Sequence, residues 1–241
     1  MIVAFPFVPR ISGRCSSNCR PARSRHSAVN SESQPQWHAE VLPDGWGRAA
    51  ADLSARSALS GFYLAGGTGL ALWLGHRRSV DLDLFSEAAF ESGGVRDRLR
   101  NLAGLRNVET APGTVHLELH DVKVSFLHYP YPLLFPLRPF DALSVADPRD
   151  IACMKLDAVA NRGSRRDFID LYLVTQSYGL REVFKWFGEK YAAVPYNRTH
   201  LFKSLTYFRD AEEQPMPDML IPLAWDEVRN FFRTETPRLM K

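Results

Sequence analysis

Ser79-Val80-Asp81-Leu82-Asp83-Leu84-Phe85 is the stretch on which the reading of this chain turns. Its alternation of apolar and polar residues predicts a strand from Val80 to Phe85. Successive side chains on a strand point to opposite faces. Asp81 and Asp83 therefore share one face, about 7 Å apart at Cα for a rise of about 3.3–3.4 Å per residue. Val80, Leu82 and Leu84 take the other face, toward a core. Two carboxylates this close repel unless a cation or a basic partner sits between them. Hard oxygen ligands on a rigid strand suit Mg²⁺, which commonly takes one or two carboxylates plus substrate phosphates. The competing reading is a surface cluster in which His76, Arg77 or Arg78 neutralises the pair, and an isolated Asp-x-Asp favours it.

The residues upstream change that balance. Phe62-Tyr63-Leu64-Ala65 reads as a short buried strand ending in a tight turn at Gly66-Gly67. Thr68 to Leu74 reads as a two-turn helix stopped by Gly75. Glycines in such a turn let backbone N–H groups approach an anion, and the following helix aims its positive end at the same point. A triphosphate cradled at Gly66, Gly67 and Thr68 would have its metal held by the next strand's acids. The plain alternative for the glycines is turn geometry. No Gly-Lys-Ser/Thr follows them, so the turn is not a P-loop.

The chain has 241 residues, 45% hydrophobic and 24% charged, a globular composition that excludes a fully disordered chain, a collagen and a disulfide scaffold. No run reaches the ~20 apolar residues of a membrane span. Residues 1–30 carry five arginines and no acid, so the net charge of +3 leaves residues 31–241 at −2. Basicity is thus no argument for a nucleic-acid partner. Cys15, Cys19 and Cys153 are an odd count, which favours a reducing compartment, the cytoplasm, over a disulfide framework. A zinc site at Cys15, Cys19 and His26 lacks a second ligand pair.

Residues 1–40 are rich in Arg, Ser and Pro. They read as a disordered basic leader, with a transit peptide or a mis-started segment as the alternatives. Residues 41–145 read as an α+β core and 146–241 as a helical region. Within the core, residues 46–59 and Gly93–Leu102 suit helices. Val115–Leu119 and Val122–Phe126 suit a β-hairpin turning at His120-Asp121. Asp147-Pro148-Arg149-Asp150 is a strong helix start, with Ile151, Met154, Ala158 and Val159 as the core stripe. Lys155 and Arg162 share a face of this helix. That face is either a solvated basic surface or a cationic wall opposite the acids. Ser164-Arg165-Arg166-Asp167 is a capping box, and Asp170 is assigned structural support, pairing with Arg166 or Arg162.

Two segments carry a family resemblance. One is Tyr63-Leu64-Ala65-Gly66-Gly67-Thr68-Gly69-Leu70-Ala71-Leu72 with His76-Arg77-Arg78-Ser79-Val80-Asp81-Leu82-Asp83-Leu84-Phe85. The other runs from Lys155 through Arg162 and Arg166-Asp167 to Asp170-Leu171-Tyr172. Together they resemble the nucleotidyltransferase AbiEii/AbiGii toxin family, within the polymerase-β-like nucleotidyltransferase superfamily. The resemblance implies a nucleotidyltransferase-fold core, a mixed sheet with flanking helices, followed by a helical C-terminal half. It implies transfer of a nucleoside monophosphate from an NTP to an acceptor, with tRNA, at its 3′ end, as the expected acceptor. It also implies toxicity and a cognate antitoxin; the lack of a long apolar run gives no membrane partner. By resemblance Asp81 and Asp83 hold Mg²⁺ or Mn²⁺. Gly66, Gly67, Thr68 and Ser79 meet the phosphates, Lys155 contacts the triphosphate, and Asp167 supports catalysis.

One position departs from the family. A later strand usually supplies a third carboxylate, and Ser125 stands there in Lys123-Val124-Ser125-Phe126. Three consequences are open: a one-metal mechanism, replacement by Glu118, or lost activity. The alternatives to RNA transfer are a catalytically silent binding protein of the same fold and transfer to a protein side chain. In the C-terminal half, Lys185, Lys190, Arg198, Lys203 and Arg209 interleave with aromatic residues. They read as a solvated face or as a grip on RNA.

Overall fold

The computed structural model describes residues 35–240. The readings of a disordered arm and of a zinc site at Cys15, Cys19 and His26 fall on residues 1–34 and lie outside the described part. The folded body reaches back across the expected boundary at residue 41. Trp37 packs on Trp73 at 4.6 Å and on Phe140 at 5.4 Å between ring centroids, and the His38 N–H donates to Leu72 O at 3.0 Å.

The N-terminal half runs α1 (Trp46–Ala55), β1 (Tyr63–Leu64), α2 (Gly66–Leu74), β2 (Asp81–Ser86), α3 (Ser92–Leu99), β3 (Leu105–Ala111), β4 (Thr114–Leu119), β5 (Val122–His128), β6 (Arg138–Phe140) and β7 (Leu143–Val145). The C-terminal half is α4 (Pro148–Asn161), α5 (Arg165–Tyr178), α6 (Leu180–Lys190), α7 (Arg198–Ser204), α8 (Arg209–Glu212) and α9 (Trp225–Leu239). The strands form one mixed sheet in the order β3-β4-β5-β2-β1-β7-β6, so the α+β class and the helical half stand as expected. The central β2 pairs antiparallel with β1 and parallel with β5.

Period-2 patterning decides which face of this sheet is covered. Leu82 and Leu84 of β2, Val115, Leu117 and Leu119 of β4, and Val122, Val124 and Phe126 of β5 are all buried. They pack under Ala49, Ala50 and Leu53 of α1 and Val95 and Leu99 of α3. Each such aliphatic side chain contributes about 1.5–3 kcal/mol when fully buried. A one-residue slip of β2 would carry its acids into this core. Val80 lies outside the strand and is 60% exposed, against its expected place in the core. A second core joins Tyr63 and Phe85 of the sheet to buried residues of α4, α5, α6 and α9.

Three strands were not legible. β3 is an edge strand with little apolar content, β6 carries Pro139, and β7 is three residues long. Edge strands tolerate exposed and prolyl positions because one side of their ladder faces no partner. Gly66-Gly67 is not a turn before a helix but the first turn of α2 itself, which begins two residues earlier than expected. Asp147 does cap α4, accepting from the Arg149 N–H at 2.9 Å. Asp150 is buried and pairs with Lys190 at 2.8 Å.

Candidate active site

Asp81 and Asp83 point to the sheet face opposite that packed under α1 and α3, as the alternation requires. They front a cleft of about 140 Å³ whose walls are the glycine-rich start of α2, Ser79, Arg77 and the α4–α5 junction. Lys155, Arg162, Ser164, Arg166 and Asp167 line that junction. Two segments separated by more than seventy residues thus meet in one concavity.

The arginines do not neutralise the pair. Arg77 makes a two-pronged contact to Asp170, through Nε and Nη2, each at 2.8 Å. His76 Nε2 reaches the same carboxylate at 2.9 Å, and Arg78 pairs with Asp218 at 3.4 Å. Asp170 therefore pairs with neither Arg166 nor Arg162, its expected partners, but binds back across the fold to the α2–β2 connection. Its third partner is Lys155, at 2.7 Å.

Asp83 is left with different company. Burial and the neighbouring Asp81 carboxylate push its pKa up, against a hydrogen bond from Ser125 and the charges of Lys155 and Arg162. Asp81 Oδ1 is buried and has no hydrogen-bond partner. A buried carboxylate oxygen without a donor, beside a second carboxylate that burial drives toward its neutral form, fits a divalent cation with oxygen ligands. No group of three His, Cys, Asp or Glu side chains suited to a metal occurs among the described residues; Asp167, the other carboxylate lining the cleft, is held by Lys155, Arg162 and Ser164.

Register explains the missing acid. Asp83 pairs with Ser125 on β5, and Ser125 pairs with His116 on β4. Ser125 Oγ lies 3.0 Å from His116 Nδ1. Glu118 shares the sheet face of the acids but lies two strands from Asp81, across Lys123. Its carboxylate is held by Arg106 at 2.7 Å and Asn107 at 2.9 Å. Glu118 therefore does not replace the absent acid at the cleft.

Facing the acids, α2 presents the N–H groups of Gly66, Gly67 and Thr68, which precede its first intrahelical bond, Gly69 N–H to Ala65 O at 3.0 Å. Gly66 has a φ of +64°, and a Cβ there would sit 3.5 Å from Asp83 Oδ2. A Cβ on Gly67 would overlap Arg77 Nη2 and stand 3.6 Å from Lys155 Nζ. The Thr68 hydroxyl donates to the Asp81 carbonyl. Ser79 Oγ, 2.6 Å from Thr68 Oγ1, must then supply the proton of that second bond. Both hydroxyls are spent in fastening α2 to β2, which leaves the backbone N–H groups as the open donors.

Lys155 is not a bare cation. It is buried and bridges Asp167 at 3.0 Å and Asp170 at 2.7 Å. Asp167 also accepts from Arg162 at 2.7 and 2.9 Å and from Ser164 at 2.5 Å. Ser164 caps α5 as the capping box anticipates, but the Asp167 carboxylate bonds the serine hydroxyl rather than its backbone. Burial opposes the charge on Asp167, and the nearby Lys155 and Arg162 outweigh it, so its pKa lies below the ordinary carboxylate range. Asp170 is held low in the same way by Lys155 and Arg77. Three cations against two anions leave this layer with one positive charge in excess, facing Asp81 and Asp83. Arg77 is a cleft residue to which sequence reading gave no role beyond the competing one of neutralising the acids. Its partner is 93 positions away, beyond any local signal.

The nucleotidyl transferase AbiEii toxin family, of type IV toxin–antitoxin systems, matches residues 48–238. A protein of Aquifex aeolicus is 37% identical over 186 residues, covering 75% of this chain and 88% of its own. The MenT4 nucleotidyltransferase toxin of Mycobacterium tuberculosis is 17% identical with a TM-score of 0.48, covering 84% of this chain and 90% of its own. JHP933 of Helicobacter pylori is 16% identical with a TM-score of 0.44, covering 83% and 95%. With more than three quarters of its length matched, this chain belongs to the AbiEii nucleotidyltransferase toxin family and is a nucleotidyltransferase.

Proposed function

We propose that the cleft transfers a nucleoside monophosphate from a Mg²⁺-bound NTP to a hydroxyl of tRNA, at its 3′ end. Mn²⁺ is the expected substitute. The observation that carries this reading is the unpartnered Asp81 Oδ1, beside Asp83 and across from the open N–H groups of α2. The family supports the NTP, the toxic outcome and a cognate antitoxin. An NTP pool and a tRNA acceptor put the proposed reaction in the cytoplasm. No helix among the described residues is long and apolar enough to cross a membrane.

In this reading Asp81 and Asp83 hold the cation, which when bound neutralises phosphate oxygens and polarises the reacting phosphorus. Gly66, Gly67 and Thr68 donate backbone N–H groups to the triphosphate. The bond from the acceptor oxygen to the α-phosphorus forms, the bond to the pyrophosphate oxygen breaks, and the proton of the acceptor hydroxyl passes to solvent water. Charge grows on the departing pyrophosphate, and the excess positive charge of the Arg77–Lys155–Arg162 layer is set to stabilise it. Asp167 and Asp170 position that layer.

The test is incubation with each α-labelled NTP, Mg²⁺ and either total tRNA or protein extract. Label on tRNA, reduced at least about 10²-fold by Asp81→Ala, supports the proposal. Label on protein shifts the acceptor, and a well-folded sample labelling neither defeats the reading. Undiminished labelling by Asp81→Ala refutes the metal assignment.

A further inference from the structure

We propose that a second cavity, between α6, α7 and the end of α9, binds a nucleotide unit through a ring face and a phosphate. It goes beyond the chemistry proposed for the cleft and does not depend on it. The cavity is about 290 Å³, near the lower end of the roughly 300–1,000 Å³ range of ligand sites. Arg181 and Lys185 approach it from α6 and Arg198 from the start of α7. Phe184, Phe202 and Tyr196 supply apolar wall.

The two phenyl rings stack on each other, 21° apart with centroids at 5.1 Å, so that one face of each is taken by its neighbour. Arg198 sits 5.9 Å from the Phe202 centroid and has no ion pair among the described residues. Among the described residues Arg181 donates only to the Arg238 carbonyl, at 3.5 Å. Among the described residues Lys185 has one ion-pair partner, the exposed Glu182, at 3.9 Å. The backbone at Gly188 makes room as well, since a Cβ there would stand 3.2 Å from Tyr196 Oη. Among the described residues no carboxylate lines the cavity.

A solvated basic face spreads its cations apart. Here three cations from separate turns surround one concavity with ring walls. Lys190, the basic residue between them in sequence, is buried against Asp150 and takes no part. Anionic phosphate with a planar base is the ligand chemistry that satisfies both features at once. Its source is either a free nucleotide or a nucleotide of single-stranded RNA.

The test measures binding of a fluorescein-labelled, unstructured 12-nucleotide RNA, and separately of AMP, to the full chain in EDTA. Arg48→Gln, at an exposed arginine of α1 that lines neither cavity, serves as the charge control and is expected to bind as the parent does. Phe202→Leu, which keeps apolar volume but removes the ring, is expected to weaken binding at least fivefold. Arg198→Gln is expected to weaken it and, on RNA, to lower the salt slope by about 0.7. Tyr196→Ala, at an exposed position, provides a second ring variant if Phe202→Leu lowers the melting temperature. RNA binding without AMP binding identifies RNA as the source, and comparable binding of AMP identifies the free nucleotide. The proposal is overturned if neither ligand binds, or if the ring variants bind as the parent does while Arg198→Gln alone weakens, which marks diffuse charge attraction.

Discussion

Asp83→Asn should make the metal-free protein more stable while abolishing transfer. Strand geometry sets the Cα atoms of Asp81 and Asp83 about 7 Å apart, and like charges at about that distance repel by about 2.4 kcal/mol at an effective dielectric of about 20. Water at the open mouth of the cleft screens part of this, and Lys155 and Arg162 attract the Asp83 charge. The net remains a pKa above the ordinary value. The amide of Asn keeps an acceptor for Ser125 and removes the charge. The expected gain is about 1–2 kcal/mol near neutral pH, or about 2–8 °C in melting temperature for a chain of this size. The sign with pH follows from the raised value. The folded state binds Asp83's proton more tightly than the unfolded state does, so the native penalty is full above the folded pKa. It vanishes as pH falls through that value to the unfolded one. The variant's advantage must therefore shrink on acidification. Urea unfolding in EDTA at several pH values measures it. With Mg²⁺ added, the parent should gain stability by binding and the variant should gain less. A variant less stable than the parent by more than about 1 kcal/mol in EDTA at pH 7–8 would refute the reasoning, because the Asp83 carboxylate would then be satisfied by the protein itself.

Asp170→Asn leaves Arg77 and Lys155 buried without their shared carboxylate, and is expected to cost about 3–5 kcal/mol by urea unfolding. Because Asp167 and Asp170 titrate below the ordinary range, their contribution is full above pH ~4 and is lost as pH falls through the folded values. The variant's acid-unfolding curve should be correspondingly flatter. Gly67→Ala drives a methyl into Arg77 Nη2. It should cost about 1–3 kcal/mol and lower labelling of the acceptor more than the stability loss explains; unchanged labelling would count against the α2 phosphate cradle. Trp37→Ala removes two ring contacts and should lower stability by about 2 kcal/mol, whereas no loss would show that residues 35–40 do not hold the fold.

Legibility of the site divides along range of interaction. The alternation in Asp81-Leu82-Asp83-Leu84 determined that the acids share a face and that the leucines are buried, since strand geometry forces both from neighbouring residues alone. Asp147-Pro148 and Ser164 marked their helix starts because capping bonds span two or three residues. The glycines marked a close approach, though as the opening turn of α2 rather than a loop before it. Gly67, Thr68, Ser79, Asp81, Asp83, Lys155 and Asp167 do line one cleft, with Gly66 against Asp83.

What the sequence could not decide is which charge meets which. His76, Arg77 and Arg78 stand beside the acids in the chain, yet two of them bind Asp170 and the third binds Asp218. Lys155 reads as a free cation, and burial gave it two carboxylates. Glu118 has the correct face and the wrong strand. The edge strands β3 and β6 carry no apolar period because little of them is buried. Local geometry follows from bonds between near neighbours, so it is written in the order of residues. Charge pairing inside a low-dielectric core depends on which groups the packed helices bring within about 3 Å, and only the folded chain sets those distances.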